Sequence, residues 1–458
     1  MRTPLKRALA MIALIALVAT LLPPSALAEA ENGRVPTETD SCTAKLCSED
    51  ALGTEAAPHK AENPERSVIW DGSIAAGFAE GTGTEEDPYL ISSGSELAYL
   101  AQQMNNGNDY SGVYFKLTND ICLNDTSDWE SWGDGVAPQN EWTAIGGYIN
   151  NDDEEDEVNI SFNGYFDGNG YTVRGVYINS QADFQGLFGC NTMDSIIANL
   201  GVAESYVSGV SVIGGIAGVI GCNYGNVINC YNMSNVVGND AIGGVVGCNY
   251  GNVTGCYNTG TIIGDSFYAG GVVGLSSGSV ENCYNTGSVE GDYYVGGVIG
   301  EIWSSGTVTN SYNIGSVTGT GEIGGVVGFI FTGTVTDCYY DIDCCVGGNS
   351  HGKALTSEQL LLAKSFVGFD FDTVWTMDGN PDYPYPELIG NIHGGTSIVT
   401  PELGDADGDG VITIADATLI ARMALNLVAS VPAADFNGDG SINMADATLT
   451  ARKALNLI

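Results

Sequence analysis

A six-residue glycine-centred phrase returns five times in the middle of this chain, and its spacing constrains the fold more than any other feature. "IGGIAG", "IGGVVG", "AGGVVG", "VGGVIG" and "IGGVVG" begin at Ile213, Ile242, Ala269, Val295 and Ile323, at intervals of 29, 27, 26 and 28 residues. A second anchor follows each: "NCYN", "GCYN", "NCYN", "NSYN" and "DCYY", from Asn229, Gly255, Asn282, Asn310 and Asp337. A constant short period marks a stacked-repeat architecture. Between the anchors, short runs of Val, Ile, Thr and Tyr are broken by Gly, Asn, Ser and Asp. These are strand and turn signals, and no unit carries a helical stripe. The expected fold is therefore mainly β: a β-solenoid, or β-helix, of ~27-residue repeats stacked ~4.8 Å apart, with short flanking helices.

Stacking places equivalent side chains above one another. Asn232, Asn258, Asn285 and Asn313 make a candidate hydrogen-bonded ladder. Cys230, Cys256, Cys283 and Cys338 make a column interrupted by Ser311, and Cys190, Cys222 and Cys248 make a third. Twelve cysteines in an exported chain suggest disulfides. A cysteine column inside a solenoid reads first as buried small apolar side chains. Disulfides between neighbouring turns stay open, because the stacking distance lies within the allowed Cα range. No column is joined by His, which speaks against a metal site there. Cys42 and Cys47 lie outside the repeats and form their own potential pair.

The remaining segments are read from composition. Arg2, Lys6 and Arg7, an apolar run and Ala26–Ala28 are the parts of an export signal over residues 1–28. Residues 29–66, rich in Glu, Thr, Ala and Pro, read as a flexible leader. A flank or cap covers 67–160 and contains the helix "SGSELAYLAQQMNN". There Ser93 and Glu96 form a capping box, and Leu97, Leu100, Ala101 and Met104 an apolar stripe. "DDEEDE" at 152–157 reads as a solvated loop. The solenoid spans 161–345, a C-terminal cap 346–389 and a linker 390–403. A net charge of −42 repels nucleic acid and anionic membranes and suits cation binding. The expected location is extracellular, secreted or held at the cell surface through a scaffold.

"FNGYFDGNGYTVRGVYI" at Phe162–Ile178, "FQGLFG" at Phe184–Gly189 and the "GGVVG…CYN" units resemble the GLUG-repeat family of secreted bacterial proteins. "DPYLISSGSELAYLAQQMNNG" before them and "ALTSEQLLLAKSFVGFDFDTVWTMDGNPDYPYPEL" after them look like that family's flanks. The resemblance covers roughly residues 68–390 and implies a fold more than an activity. The family appears in adhesin-like proteins and beside peptidases and glycan-active modules.

From Asp405 the chain carries two near-copies of an acidic loop followed by a helical pattern, identical at 16 of 23 positions. A twelve-residue calcium loop needs oxygen ligands at positions 1, 3, 5, 7, 9 and 12, and Gly at 6 for the sharp turn. The first copy offers Asp405, Asp407, Asp409, the Val411 carbonyl, Thr413 and Asp416, with Gly410. The second offers Asp435, Asn437, Asp439, the Ser441 carbonyl, Asn443 and Asp446, with Gly440. Two Ca²⁺ ions are expected, with Ile412 and Ile442 packing between the loops. The twelfth residue is Asp rather than a bidentate Glu, and "TSIVTPE" before the first loop is not helical, so each unit is one loop and one helix. In both respects residues 404–458 resemble a type I dockerin. The resemblance implies docking onto a cohesin module of a scaffold protein, as in a cellulosome. It assigns cohesin contact to Ile414, Ala415 and Arg422 in one half and to Met444, Ala445, Arg452 and Lys453 in the other. Near-identity of the halves implies two poses related by a half-turn. A purely internal packing role for Ile414 and Met444 stays open.

Signals for catalysis are sparse. His59, His351 and His393 fall in the leader, at the solenoid's end and in the linker, and no Lys or Arg lies between Arg174 and Lys353. Nucleophilic triads and a lyase-type base are disfavoured. Glycoside hydrolysis needs only two carboxylates, for which Asp337, Asp341 and Asp343, or Asp265, Glu290 and Asp292, are candidates. Trp129 and Trp132 are candidate sugar-stacking rings. The favoured reading is a non-catalytic solenoid that binds glycan, surface or protein and is carried on a dockerin. The alternatives are a dockerin-borne glycoside hydrolase in polysaccharide degradation, and an adhesin or peptidase-associated surface protein.

Overall fold

The computed structural model describes residues 68–377 except 134, 151–156, 210–214, 346, 347 and 350, then 383–389, and in the C-terminal segment 417, 420, 421, 424, 436 and 442–454. Two compact units divide the chain, Met1–Pro58 and His59–Ile458, and every described residue lies in the second. The export signal, the leader and the 390–403 linker lie outside the described residues.

Among the described residues the chain winds as a parallel β-solenoid whose sheets contain nine, fifteen and six strands. One turn runs through Val246–Asn249 in the six-stranded sheet and Asn252–Thr254 in the nine-stranded sheet. It closes through Tyr257–Asn258 and Ile262–Gly270 in the fifteen-stranded sheet. Register is kept from turn to turn: Val227, Val253, Val280 and Val308 lie one above another, all fully buried. Branched side chains fill such a flat, half-pleated column well.

The second anchor is explained position by position. Its first residue sits at a corner with left-handed backbone: φ is 52° at Asn229, 64° at Gly255, 53° at Asn282, 47° at Asn310 and 49° at Asp337. Asn, Asp and Gly tolerate that conformation best. The second residue turns inward, and its Sγ or Oγ donates to the carbonyl two residues back: Ile228, Thr254, Glu281, Thr309 and Thr336 in successive turns. Ser311 substitutes for Cys because a hydroxyl makes the same bond; it also accepts the Cys283 N–H at 3.0 Å, as Cys256 Sγ accepts that of Cys230. The cysteine column is thus a set of hydrogen-bonded corner staples rather than apolar filler, and the ten described cysteines are free thiols. The third residue is a stacked tyrosine, with Tyr231, Tyr257, Tyr284 and Tyr312 at 4.8–5.2 Å centroid spacing. The fourth is the asparagine ladder, each Nδ2 donating to the next Oδ1 at 2.8 Å. Gly218, Gly244, Gly271 and Gly297 lie against that ladder, where a Cβ would collide with the amides. "DCYY" ends the pattern: Tyr340 takes the place above Asn313, whose Nδ2 donates instead to Cys344 Sγ.

Helix α1 (Gly94–Asn105) lies in sequence between the first two strands of the nine-stranded sheet. Leu97, Leu100, Ala101 and Met104 are buried in the main core, as the stripe requires. Each of the larger ones contributes about 1.5–3 kcal/mol. The cap differs in one detail. Ser93 Oγ accepts the Glu96 N–H, but the Glu96 carboxylate takes the N–H groups of Ser92 and Ala79 instead of closing onto Ser93. The stack also reaches into the 67–160 flank, because Tyr89–Ile91 and Tyr114–Leu117 are strands of the same sheet. Those strands lack the glycine anchors, so the period hides them. Beyond Tyr339, a cap with helix α2 (Ser357–Leu360), Phe366, Phe369, Trp375 and Leu388 covers the tyrosine stack.

Candidate functional site

The C-terminal segment contains helix α3, Met444–Ala454, and residues 417, 420, 421 and 424 are helical too. Both halves thus end in helix, as the two loop–helix units require. Ala417 and Ile420 in the first half and Ala447 and Thr450 in the second are buried at matching positions. Asn443 precedes α3 and Asp446 is its third residue. The fully buried Asp446 accepts the Asn443 N–H on Oδ2 at 2.9 Å, the return half of a capping box. That bond sets the carboxylate at the positive end of the helix, where an anion is favoured. A carboxylate has two oxygens, so orienting it through one suits hard-cation ligation through the other. Arg452 and Lys453 are exposed on the last turn of α3, and Met444 and Ala445 open it. The other calcium-loop positions (Asp405, Asp407, Asp409, Val411, Thr413, Asp416, Asp435, Asn437, Asp439 and Ser441) lie outside the described residues, as do Ile414, Ala415 and Arg422.

On the solenoid, Asp265, Glu290 and Asp292 come together in one open groove with Thr318 and Thr320. All three acids are exposed. Asp341 is engaged in a turn, accepting the Asp343 N–H and the Ser357 hydroxyl, while Asp337 occupies the left-handed corner. One carboxyl elsewhere is strongly perturbed: burial pushes Glu301 up to about 7. It follows Cys190, Cys222, Cys248 and Leu275 in register on the six-stranded sheet, and it is 2% exposed. Its burial closes it to a polymeric substrate.

The two tryptophans differ. Trp132 is 5% exposed, edge-on to Tyr177, with Nε1 donating to Asp128. A ring covered in this way offers no face to a sugar, which corrects its assignment as a stacking residue; Trp129 is half-buried on a short 3-10 turn. Sequence reasoning missed a more exposed aromatic set at the corner after the six-stranded sheet. Tyr224 stacks on Tyr250 at 4.9 Å and Trp303 on Phe331 at 4.6 Å. The signal was available: Tyr250, Ser277, Trp303 and Phe331 each lie eight residues after the first residue of a glycine anchor.

Comparison with known proteins follows the same division. Residues 403–454 match the dockerin type I domain, and residues 238–263 and 265–290 match the GLUG motif. A protein of Evansella cellulosilytica, provisionally named a Gly-rich membrane protein, is 29% identical over 153 residues, 33% of this chain and 15% of that one. Halomucin of Haloquadratum walsbyi is 30% identical over 173 residues, 38% of this chain and 2% of that one. The chain therefore spans only a small part of these relatives. A crystal structure from Bacteroides ovatus, of a protein provisionally named an immunoglobulin A1 protease, superposes with a TM-score of 0.49 at 21% identity. The match covers 68% of this chain and 95% of that one.

Proposed function

We propose that this is an exported, calcium-dependent docking protein. Its C-terminal module binds a cohesin on a scaffold of cellulosome type, and its solenoid is a non-catalytic binding module presented there. One observation carries the docking half: the paired loop–helix units, matched over residues 403–454 by the dockerin type I domain. Export is supported by the basic, apolar and small-residue pattern of residues 1–28. Two Ca²⁺ would be held by the twelve ligand positions, Asn443 and Asp446 among them, and supply the charge that closes each loop. Cohesin contact falls to Ile414, Ala415 and Arg422 or, in the rotated pose, to Met444, Ala445, Arg452 and Lys453. Isothermal titration against a type I cohesin tests this: excess EDTA should abolish binding and calcium restore it. Asp substitution of Ile414 and Ala415 alone should leave binding intact, and adding the same change at Met444 and Ala445 should remove it. Binding that persists in chelator overturns the reading. For the hydrolase alternative, the exposed groove of Asp265, Glu290 and Asp292 is the place to look. Reducing ends released from plant polysaccharide and lost in Glu290→Gln would favour it.

A further inference from the structure

Five successive turns place Tyr224, Tyr250, Ser277, Trp303 and Phe331 at one corner. The backbone proves the register: the N–H of Tyr250, Ser277, Trp303 and Phe331 donates to the carbonyl of Asn223, Asn249, Ser276 and Ile302, at 2.8–2.9 Å in every rung. Two ring pairs are stacked, and the four rings are 37–50% exposed. Ser277 breaks the ladder. Its missing ring leaves Tyr250 and Trp303 two rungs apart, roughly 9–10 Å. Stacked rings prefer separations of ~4.5–7 Å, so that space admits one flat ring between the two aromatic faces.

We propose that the Ser277 rung is a slot that binds one pyranose ring of a neutral glycan. The inference deepens the solenoid half of the reading above and rests on it. Two observations choose the occupant. The corner residues 249–252, 276–279 and 303–306 contain no charged side chain, only Tyr, Trp, Asn, Ser and Gly, on a protein with 56 acidic and 14 basic residues. Apolar ring faces above and below, with hydroxyls of Ser277, Ser304 and Ser305 at the edge, match a sugar's apolar faces and its rim of hydroxyls. An added peptide strand is disfavoured, because the rung N–H groups are already bonded to the preceding turn. An anionic polymer meets only an acidic protein.

The test is affinity electrophoresis of the full chain through gels containing xyloglucan, galactomannan or hydroxyethylcellulose, with polygalacturonate as the anionic control. At least one neutral polymer should retard the protein and polygalacturonate should not. Trp303→Ala should weaken retardation about tenfold. Ser277→Trp, which supplies the missing rung, should abolish it at unchanged melting temperature; Tyr250→Ala serves if that variant does not fold. Retardation of the wild type and of all variants alike overturns the slot but leaves glycan binding by the solenoid standing. No retardation by any neutral polymer, with cohesin binding intact, overturns both the slot and glycan binding while sparing the docking module.

Discussion

Single residues in this solenoid are chosen by what the turn below and the turn above demand. Glu301 is the one place where that rule is broken conspicuously: it follows two cysteines and a leucine in its column, with Tyr268 close by, and its Oε2 is buried without a hydrogen-bond partner. In the unfolded chain its carboxyl titrates near 4.5, in the folded chain near 7. Below 4.5 it is neutral in both states and its contribution is fully present. Between those values the unfolded chain releases the proton first, so stability is lost as pH rises through 7. Thermal melts should therefore decline from pH 5 to pH 8, and Glu301→Gln should flatten the decline; an identical pH profile in the variant refutes this. A second residue-scale expectation concerns the ladder. Asn258 both donates and accepts along it, so Asn258→Ala strands the Asn232 donor and should cost about 1–3 kcal/mol in urea denaturation.

Elements are held by faces that the repeat alone leaves apolar. The tyrosine stack is such a face, and the C-terminal cap exists to cover it. Trp375 is fully buried, stacked on Phe369 and within 5.8–6.1 Å of the Tyr312 and Tyr284 rings. Trp375→Ala should cost about 3–5 kcal/mol of cap stability, since large-to-small changes leave a cavity. Nearest-neighbour stacking lets the inner turns survive locally. Limited proteolysis should consequently cut between Lys353 and Leu388 in the variant before the repeats are touched. Cleavage beginning inside the repeats would show that the cap is not the weaker unit.

At the scale of the whole molecule, the solenoid is held by its stacked core, whereas the acidic C-terminal pair depends on bound cation. Calorimetry in EDTA should lower the transition of the C-terminal module and leave the solenoid transition in place. A single transition shifted as a whole by chelator would contradict that independence. No helix among the described residues is long and apolar enough to cross a membrane.

How much could be read from the chain alone depended on whether a feature repeats. The period of the glycine phrase determined the solenoid, because an identical side chain every turn is stable only when it stacks on its own copy. "NCYN" announced the asparagine ladder, and the doubled aspartate spacing announced calcium loops, since few residue types satisfy those geometries. What lacked a repeat was hidden: the strands at Tyr89–Ile91 and Tyr114–Leu117, and the burial of Trp132 against Tyr177. The uncharged aromatic corner with its missing rung needed the tertiary structure. Exposure and the space between two rings are set by residues far apart in sequence, and only the winding of the chain brings them together.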